Sequence, residues 1–257
     1  MLLLHLGAFY LDRDRQKANL WNSLAPRTRL LCVLLLVFAI ALTPNGRWLT
    51  WAVYGLGVLT LIILSCVTKK VLIGRIILEF ALIGVVLLGT LFREGGEVVW
   101  SWGIFKITTE GLTVLGSVTI KALLSLIVLN ILTLTTSVPA LLNALTSLRV
   151  PPLLVAVLAS MYRYLHVLIK EFRAIRKAAL SRNLNNNRNW QRLVIGNMMG
   201  TLFVRTYDRG ERIYQAMLAR GYQGIPVIEK VPSGGKRDYV ALSFTTILTL
   251  FGQILYL

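Results

Sequence analysis

Acidic residues are scarce: the 257-residue chain has 11 Asp and Glu against 28 Lys and Arg, and charged residues of both signs make up only 15% of it. A soluble domain carries about 25% charged and 45–50% apolar residues. A chain that is 56% hydrophobic with a mean hydropathy of +0.67 is therefore an integral membrane protein. Only two cysteines occur, Cys32 and Cys66, both inside apolar runs. They offer neither a disulfide scaffold nor a zinc site and read as packing residues. Histidine is equally rare. His5 and His166 form no His-x-x-x-His or His-Glu-x-x-His pattern, so His166, beside the apolar part of a helix, reads as a packing or interface residue. There is no Gly-x4-Gly-Lys-Ser/Thr loop for ATP, no Gly-x-Ser-x-Gly elbow and no paired-carboxylate cluster for hydrolysis or metal chemistry. The chain is not expected to be an enzyme by itself, nor to hold a cofactor or a metal ion.

What is present is a series of apolar runs. Residues 1–11 are too short to span a bilayer and are followed, not preceded, by Arg13, Asp14, Arg15 and Lys17. This start is expected to be retained and not cleaved as a signal. Residues 30–42 form a first, short span, and Thr43-Pro44-Asn45-Gly46 is a tight turn into a second span over 48–67. Trp48, Trp51 and Tyr54 cluster at one end of that second span, where aromatic side chains favour the interface. The third span, 71–91, carries Arg75 and Glu79 one turn apart, an arrangement in which Arg75 snorkels and Glu79 pairs with it. Residues 92–110 read as a polar and aromatic loop. The fourth span, 111–134, contains Lys121 and Asn130, and the fifth, 239–257, ends the sequence. The expected fold is all-α: a polytopic membrane protein with about five transmembrane helices and a cytoplasmic helical coupling domain. The expected divisions are an N-terminal segment 1–29, transmembrane helices over 30–134, the coupling domain 135–238 and the last helix 239–257.

The region 135–238 differs in character. Ser137 is placed to cap a short helix with Pro139 in its first turn, running to about Leu148. Arg149-Val150-Pro151-Pro152 breaks it. A long helix follows, apolar to Leu158 and then charged through Arg163, Lys170, Glu171, Arg173, Arg176 and Lys177, and the Asn-rich run 183–189 stops it. A second long helix closes at Arg220-Gly221. Within that second helix, 193–204 is apolar but short, and is expected to be helix buried under the membrane domain. The region has 16 basic and five acidic residues, giving +11 of the total +17. The excess places it on the cytoplasmic side. Every other loop then agrees, with the N-terminus inside and the C-terminus outside. Nucleic acid is the weaker reading of the same charge.

The two long helices end alike, in Ala178-Ala179-Leu180-Ser181-Arg182-Asn183 and Ala216-Met217-Leu218-Ala219-Arg220-Gly221. Each arginine has an Ala four residues before it and a Leu two before. An Arg at a helix C-terminus has a plain explanation in capping. Two matching ends on consecutive helices also suit docking, because a guanidinium is a rigid donor fork and small neighbours let it enter a groove.

These residues carry a resemblance. Met161-Tyr162-Arg163-Tyr164-Leu165, Glu171 and Arg173, then Arg205-Thr206-Tyr207-Asp208-Arg209-Gly210-Glu211-Arg212 and Ala219-Arg220-Gly221, resemble the T component of energy-coupling factor (ECF) transporters, specifically the CbiQ cobalt-transport family. The likeness covers residues 30–224 in layout and is densest from Pro151 onward. The second Ala-Arg-Gly motif is intact, and the first appears as Ser181-Arg182-Asn183. The resemblance implies a non-catalytic scaffold in the plasma membrane between two cytoplasmic CbiO-like ATPase subunits and a membrane substrate-binding S component. That S component is CbiM-like, with a small CbiN-like subunit as an optional addition. Ser181, Arg182, Asn183, Ala219, Arg220 and Gly221 would dock the ATPases. Leu153, Leu158, Leu193 and Phe203 would support the S component. Cobalt is the implied substrate, with nickel or a vitamin as alternatives. A self-contained secondary transporter remains a different class. It calls for ionisable groups deep in several spans, whereas this chain offers little beyond Arg75, Glu79, Lys121 and Asn130.

Overall fold

A computed structural model of the chain describes residues 21–65, 67, 71–77, 79, 81, 84, 98–102, 105–182, 188–222 and 235–255. Seven helices are delimited at both ends among them: α1 (Pro26–Leu42), α2 (Trp48–Ser65), α3 (Thr109–Thr135), α4 (Val138–Ser147), α5 (Pro152–Ser181), α6 (Arg188–Ala219) and α7 (Lys236–Ile254). Residues 71–77 are helical as well. The protein is an all-α polytopic membrane protein. By length and composition, Trp48–Ser65, Gly111–Thr135 and Pro152–Ser181 can each cross a bilayer. The last of these qualifies through its apolar first half. Most of the expected third span lies outside the described residues, as do residues 1–20 of the N-terminal segment and Cys66.

One expectation needs correction. The loop expected over 92–110 contains a two-stranded antiparallel hairpin, β1 (Val98–Trp102) with β2 (Phe105–Thr108). Both segments consist almost wholly of β-branched and aromatic residues, which suit a pleated surface, and only two residues of sequence separate them, as in the commonest hairpins.

The helices fall into two compact units, one formed by residues 1–144 with 231–257 and the other by 145–230. In the first, α1 packs on α3 and α7, and α2 packs on α3 and α7. Ala39, Ile40, Trp51 and Tyr54 form its centre, with Ile120, Leu124 and Leu248 against them. Small residues set the helix spacing, as is usual where lipid supplies no hydrophobic drive to association. A Cβ on Gly252 of α7 would stand 2.6 Å from the Tyr54 ring and hydroxyl, and one on Gly57 would stand 2.9 Å from Leu248. Gly252→Ala is therefore expected to force α2 and α7 apart and to destabilise the unit by about 1–3 kcal/mol. A lower melting temperature of the detergent-solubilised protein would report it.

Unlike a soluble protein, this unit is apolar on its outside as well as at its centre, and its helices bury hydroxyls between them. Phe38, Leu42, Leu49, Leu56, Ile63, Ile247 and Ile254 are exposed, while Thr43, Thr50, Ser117, Thr245 and Thr249 are buried. The buried hydroxyls are satisfied within their own helices, as where Thr43 donates to the Ala39 carbonyl at 2.8 Å and Ser117 to Thr113 at 2.7 Å. Such a distribution suits hydrocarbon outside, although Trp51 Nε1, Tyr54 Oη and Thr136 Oγ1 are buried without a hydrogen-bond partner among the described residues.

Where α3 ends and where the chain returns for α7, polar groups converge. The Asp238 carboxylate accepts from the Gly235 N–H at 2.9 Å, capping α7, and from the Ala25 N–H at 2.9 Å, beside the start of α1. One acid thus serves two helix N-termini. Arg29 donates from Nη1 to the carbonyl of Thr135, the last residue of α3, at 3.2 Å and from Nε to the Leu24 carbonyl at 3.1 Å. Trp21 Nε1 donates to Thr135 Oγ1 at 3.0 Å. A cation at a helix C-terminus and an anion at helix N-termini are each the favourable sign for the helix dipole.

Helix α4 begins as its residues dictate, with the Ala140 N–H donating to Ser137 Oγ at 3.3 Å. It ends in a Schellman motif, in which the Val150 N–H reaches the Leu145 carbonyl (3.2 Å) and the Arg149 N–H that of Thr146 (3.1 Å). Arg149 occupies the left-handed position, with φ +63°, that glycine normally fills. Arg149→Gly is expected to relieve this strain and raise stability by about 1 kcal/mol, measurable as a higher melting temperature.

Glu79 and Lys121 of the membrane unit have separate partners. Glu79 Oε2 accepts from Asn130 Nδ2 at 2.7 Å, and no ion pair joins Glu79 to Arg75 among the described residues. The expected Arg75–Glu79 pair is corrected to a Glu79–Asn130 pair, because Glu79 faces α3. Lys121 instead reaches Asn45 in the turn between α1 and α2, with Nζ 3.1 Å from Asn45 Oδ1 and 5.5 Å from the centre of the Trp51 ring.

Candidate functional site

The second unit is built on α5 and α6. Opposite ends of these helices meet. Tyr164, Val167 and Leu168 lie with Thr206, Gly210 and Ile213, whereas Ala178 and Arg182 lie with Val194 and Asn197. The pair is therefore antiparallel. At its middle the Glu171 carboxylate, 14% exposed, takes a hydrogen bond from Arg209 Nη1 at 2.9 Å, and Arg205 Nη1 stands 3.8 Å from its other oxygen. Arg205 and Arg209 are one turn apart on the same face of α6. Glu171 is a lone acid in a basic stretch of α5, and the sequence offered no local signal for its partner 38 residues away.

The two arginine tips are built differently. Arg182 follows the last residue of α5, with its N–H donating to the Ala178 carbonyl at 3.3 Å, and Ser181 Oγ donates to the same carbonyl at 2.9 Å. Asn183 lies outside the described residues. Arg220 follows Ala219, the last residue of α6, and closes a full Schellman motif. The Tyr222 N–H donates to the Met217 carbonyl at 3.0 Å, the Gly221 N–H to that of Leu218 at 2.9 Å, and Gly221 has φ +79°. Both arginine side chains are exposed. Because the helices are antiparallel, the tips stand at opposite ends of the pair and not side by side. Each lies eleven residues beyond the ion pair, Arg182 after Glu171 and Arg220 after Arg209, or about 16 Å along its helix.

Little of this unit is buried. Among its described residues only Val155 and Met198 are. Leu154, Leu158, Met161 and Leu165 form an exposed stripe on α5, and Ile195, Met199, Phe203 and Tyr207 one on α6. Of the residues expected to face a membrane partner, Leu158 and Phe203 lie on these stripes. Leu153 and Leu193 are exposed but lie off the stripes, Leu153 about 140° around the helix from Leu158 at 3.6 residues per turn. Within this unit Leu193, Ile195, Met199, Phe203 and Val204, of the stretch expected to be buried, are all exposed, so α5 does not cover them. Their apolar character calls for a cover from outside the described residues of this unit. A groove of about 420 Å³ opens between the helices near Arg182, lined by Ala174, Ala178, Asn197, Met198, Thr201 and Arg205 among others. His166 packs edge-on to Tyr162, ring centres 6.0 Å apart. Among the described residues, no group of three His, Cys, Asp or Glu comes together as a metal cage.

Fold and site together define an all-α membrane protein that carries an antiparallel pair of basic, arginine-tipped helices. The family model described as CbiQ, cobalt transport protein, matches residues 17–231. The chain belongs to this family and is the T component of an ECF transporter. It is 30% identical over 218 residues to the energy-coupling factor transporter transmembrane protein EcfT 1 of Listeria monocytogenes, covering 80% of this chain and 81% of that one. To EcfT of Bacillus subtilis it is 28% identical over 218 residues, 80% and 82% of the two chains. A putative fused cobalt transport protein CbiMQ of Methanocorpusculum labreanum is 33% identical over 122 residues, 47% of this chain and 20% of that protein. Residence in the plasma membrane accords with this membership and with the apolar exterior of the first unit.

Proposed function

We propose that this T component transmits the movement of two cytoplasmic ATPase subunits to a membrane substrate-binding S component, driving uptake of cobalt ions. The observation that carries the reading is the placement of Arg182 and Arg220 at opposite ends of one antiparallel helix pair, which suits simultaneous seating in two separate grooves. Ser181, Asn183, Ala219 and Gly221 complete the two docking ends. The chain itself hydrolyses nothing, and ATP turnover belongs to the partners. Leu153, Leu158, Leu193 and Phe203 are assigned to the S component, because they are apolar and exposed within their own unit. The charge asymmetry favours the N-terminus and residues 135–238 on the cytoplasmic side and the C-terminus outside.

Cobalt is supported by the family description and by the name of the fused relative, both of which carry that metal. The test is expression of the chain with its ATPases and S component, followed by uptake of radioactive cobalt and nickel into proteoliposomes. ATP-dependent cobalt accumulation is expected. Nickel accumulation without cobalt would move the substrate, and accumulation by this chain alone would replace the reading with a secondary transporter.

A further inference from the structure

The 38-residue offset between the arginine tips recurs at the ion pair. Glu171 and Arg209 are 38 residues apart, as are Arg182 and Arg220, so the contact divides the two arms equally. It also lies in a unit with almost no core. Among its described residues only Val155 and Met198 are buried, and the stripes that would otherwise lock two helices together are exposed. Two rods with a sparse apolar contact can swing about one another, because non-directional packing of that kind fixes no angle. A carboxylate that takes a 2.9 Å hydrogen bond from Arg209, with the Arg205 guanidinium one turn away at 3.8 Å from its other oxygen, restricts one. Its acceptor directions and the planar forks admit a narrow range of helix orientations. Glu171 is also the only acidic residue on α5, so no neighbouring acid on that helix can take its place.

We infer that Glu171, clamped by Arg209 and Arg205, is the joint that sets the angle between α5 and α6 and so the separation of the two arginine tips. Glu171 is a positioning residue: it touches no substrate and acts through the tips. The inference rests on the reading of Arg182 and Arg220 as two docking ends. Without the clamp each tip still binds its own ATPase. The arms no longer move as one lever, and a change of spacing between the ATPases is absorbed by pivoting at the crossing and is not passed on.

The test joins a distance to a coupling ratio. Spin labels are attached through Leu180→Cys and Leu218→Cys, each two residues before an arginine, in full-length chain lacking Cys32 and Cys66 and held in nanodiscs without ATPases. A narrow distance distribution is expected in the parent, and a broad one in Glu171→Gln and Arg209→Gln. Arg209→Lys, which keeps the charge and a donor, should retain most of the narrowness. In the assembled transporter Glu171→Gln should still co-purify with its ATPases and hydrolyse ATP, while substrate taken up per ATP falls at least about fivefold, the lower end of couplings carried between two sites. An unchanged distance distribution in Glu171→Gln overturns the inference, and so does a broadened one with unaltered uptake per ATP. The distance is read on this chain alone, so it stays informative even if the arginine tips prove not to dock ATPases.

Discussion

Arg182→Glu together with Arg220→Glu is expected to release the ATPase subunits from the purified complex, while either change alone leaves a weakened complex. A bidentate, charge-assisted contact contributes about 1.5–3 kcal/mol, so losing one weakens that arm by about 10-fold to 150-fold. A surviving arm tethers the other ATPase, so a single change lowers the bound ratio without emptying the complex. Glu in place of Arg also sets like charge against the groove that took the guanidinium, which removes any residual docking. The two single changes should differ. Arg220 stands in a closed Schellman end whose left-handed Gly221 holds the tip in one orientation, whereas Arg182 is followed by Asn183. The pre-organised tip has more to lose, so Arg220→Glu should release more ATPase than Arg182→Glu. Quantitative co-purification from membranes measures both. ATPase yield and transport unchanged by the double replacement would remove the docking role.

The second large effect is on stability. Asp238→Ala should lower the melting temperature of the solubilised chain sharply, with a loss of about 2–4 kcal/mol, since one buried carboxylate serves two helix N-termini and a single cap is worth about 1 kcal/mol. Asp238 is 7% exposed, and its charge also acts on the buried Arg29. Removal leaves the amides of Ala25 and Gly235 without acceptors and Arg29 without its neighbouring charge. Asp238→Asn keeps one acceptor oxygen and should cost about half as much, on the order of 1–2 kcal/mol. Equal melting temperatures for Asp238→Ala and the parent would show that the returning chain is held by helix packing alone.

Much of the layout was legible because its signals are local. Pro44-Asn45-Gly46 marks the break between α1 and α2. Ser137 caps α4, Pro151-Pro152 opens α5, and Gly221 stops α6, each because one residue type satisfies a particular φ or an orphan amide. The arginine tips were legible as a repeated end, although their opposite placement was not. It depends on the antiparallel course of α5 and α6, which no local pattern encodes. The misreadings share a cause. Apolar 193–204 called for a cover, and the sequence pattern could not say whether the cover came from this chain or from another. Glu79 was assigned to Arg75 because both lie one turn apart on one helix, yet a partner on α3 lay closer to its carboxylate. The strands at 98–108 were hidden by their setting, since two short aromatic segments between long apolar helices read as interface loop.

Composition and nearest-neighbour chemistry determined that this protein lives in a membrane, where its charge accumulates and where its helices stop. Such properties depend on how each residue meets lipid, water or its own backbone, and every residue carries that information with it. Tertiary structure alone decided that Glu171 meets Arg209, that Asp238 caps α7 beside an amide 213 residues earlier, and that two like tips point apart. A carboxylate accepts from any donor of the right geometry, so its partner is settled only when packing brings one donor within reach and excludes the others.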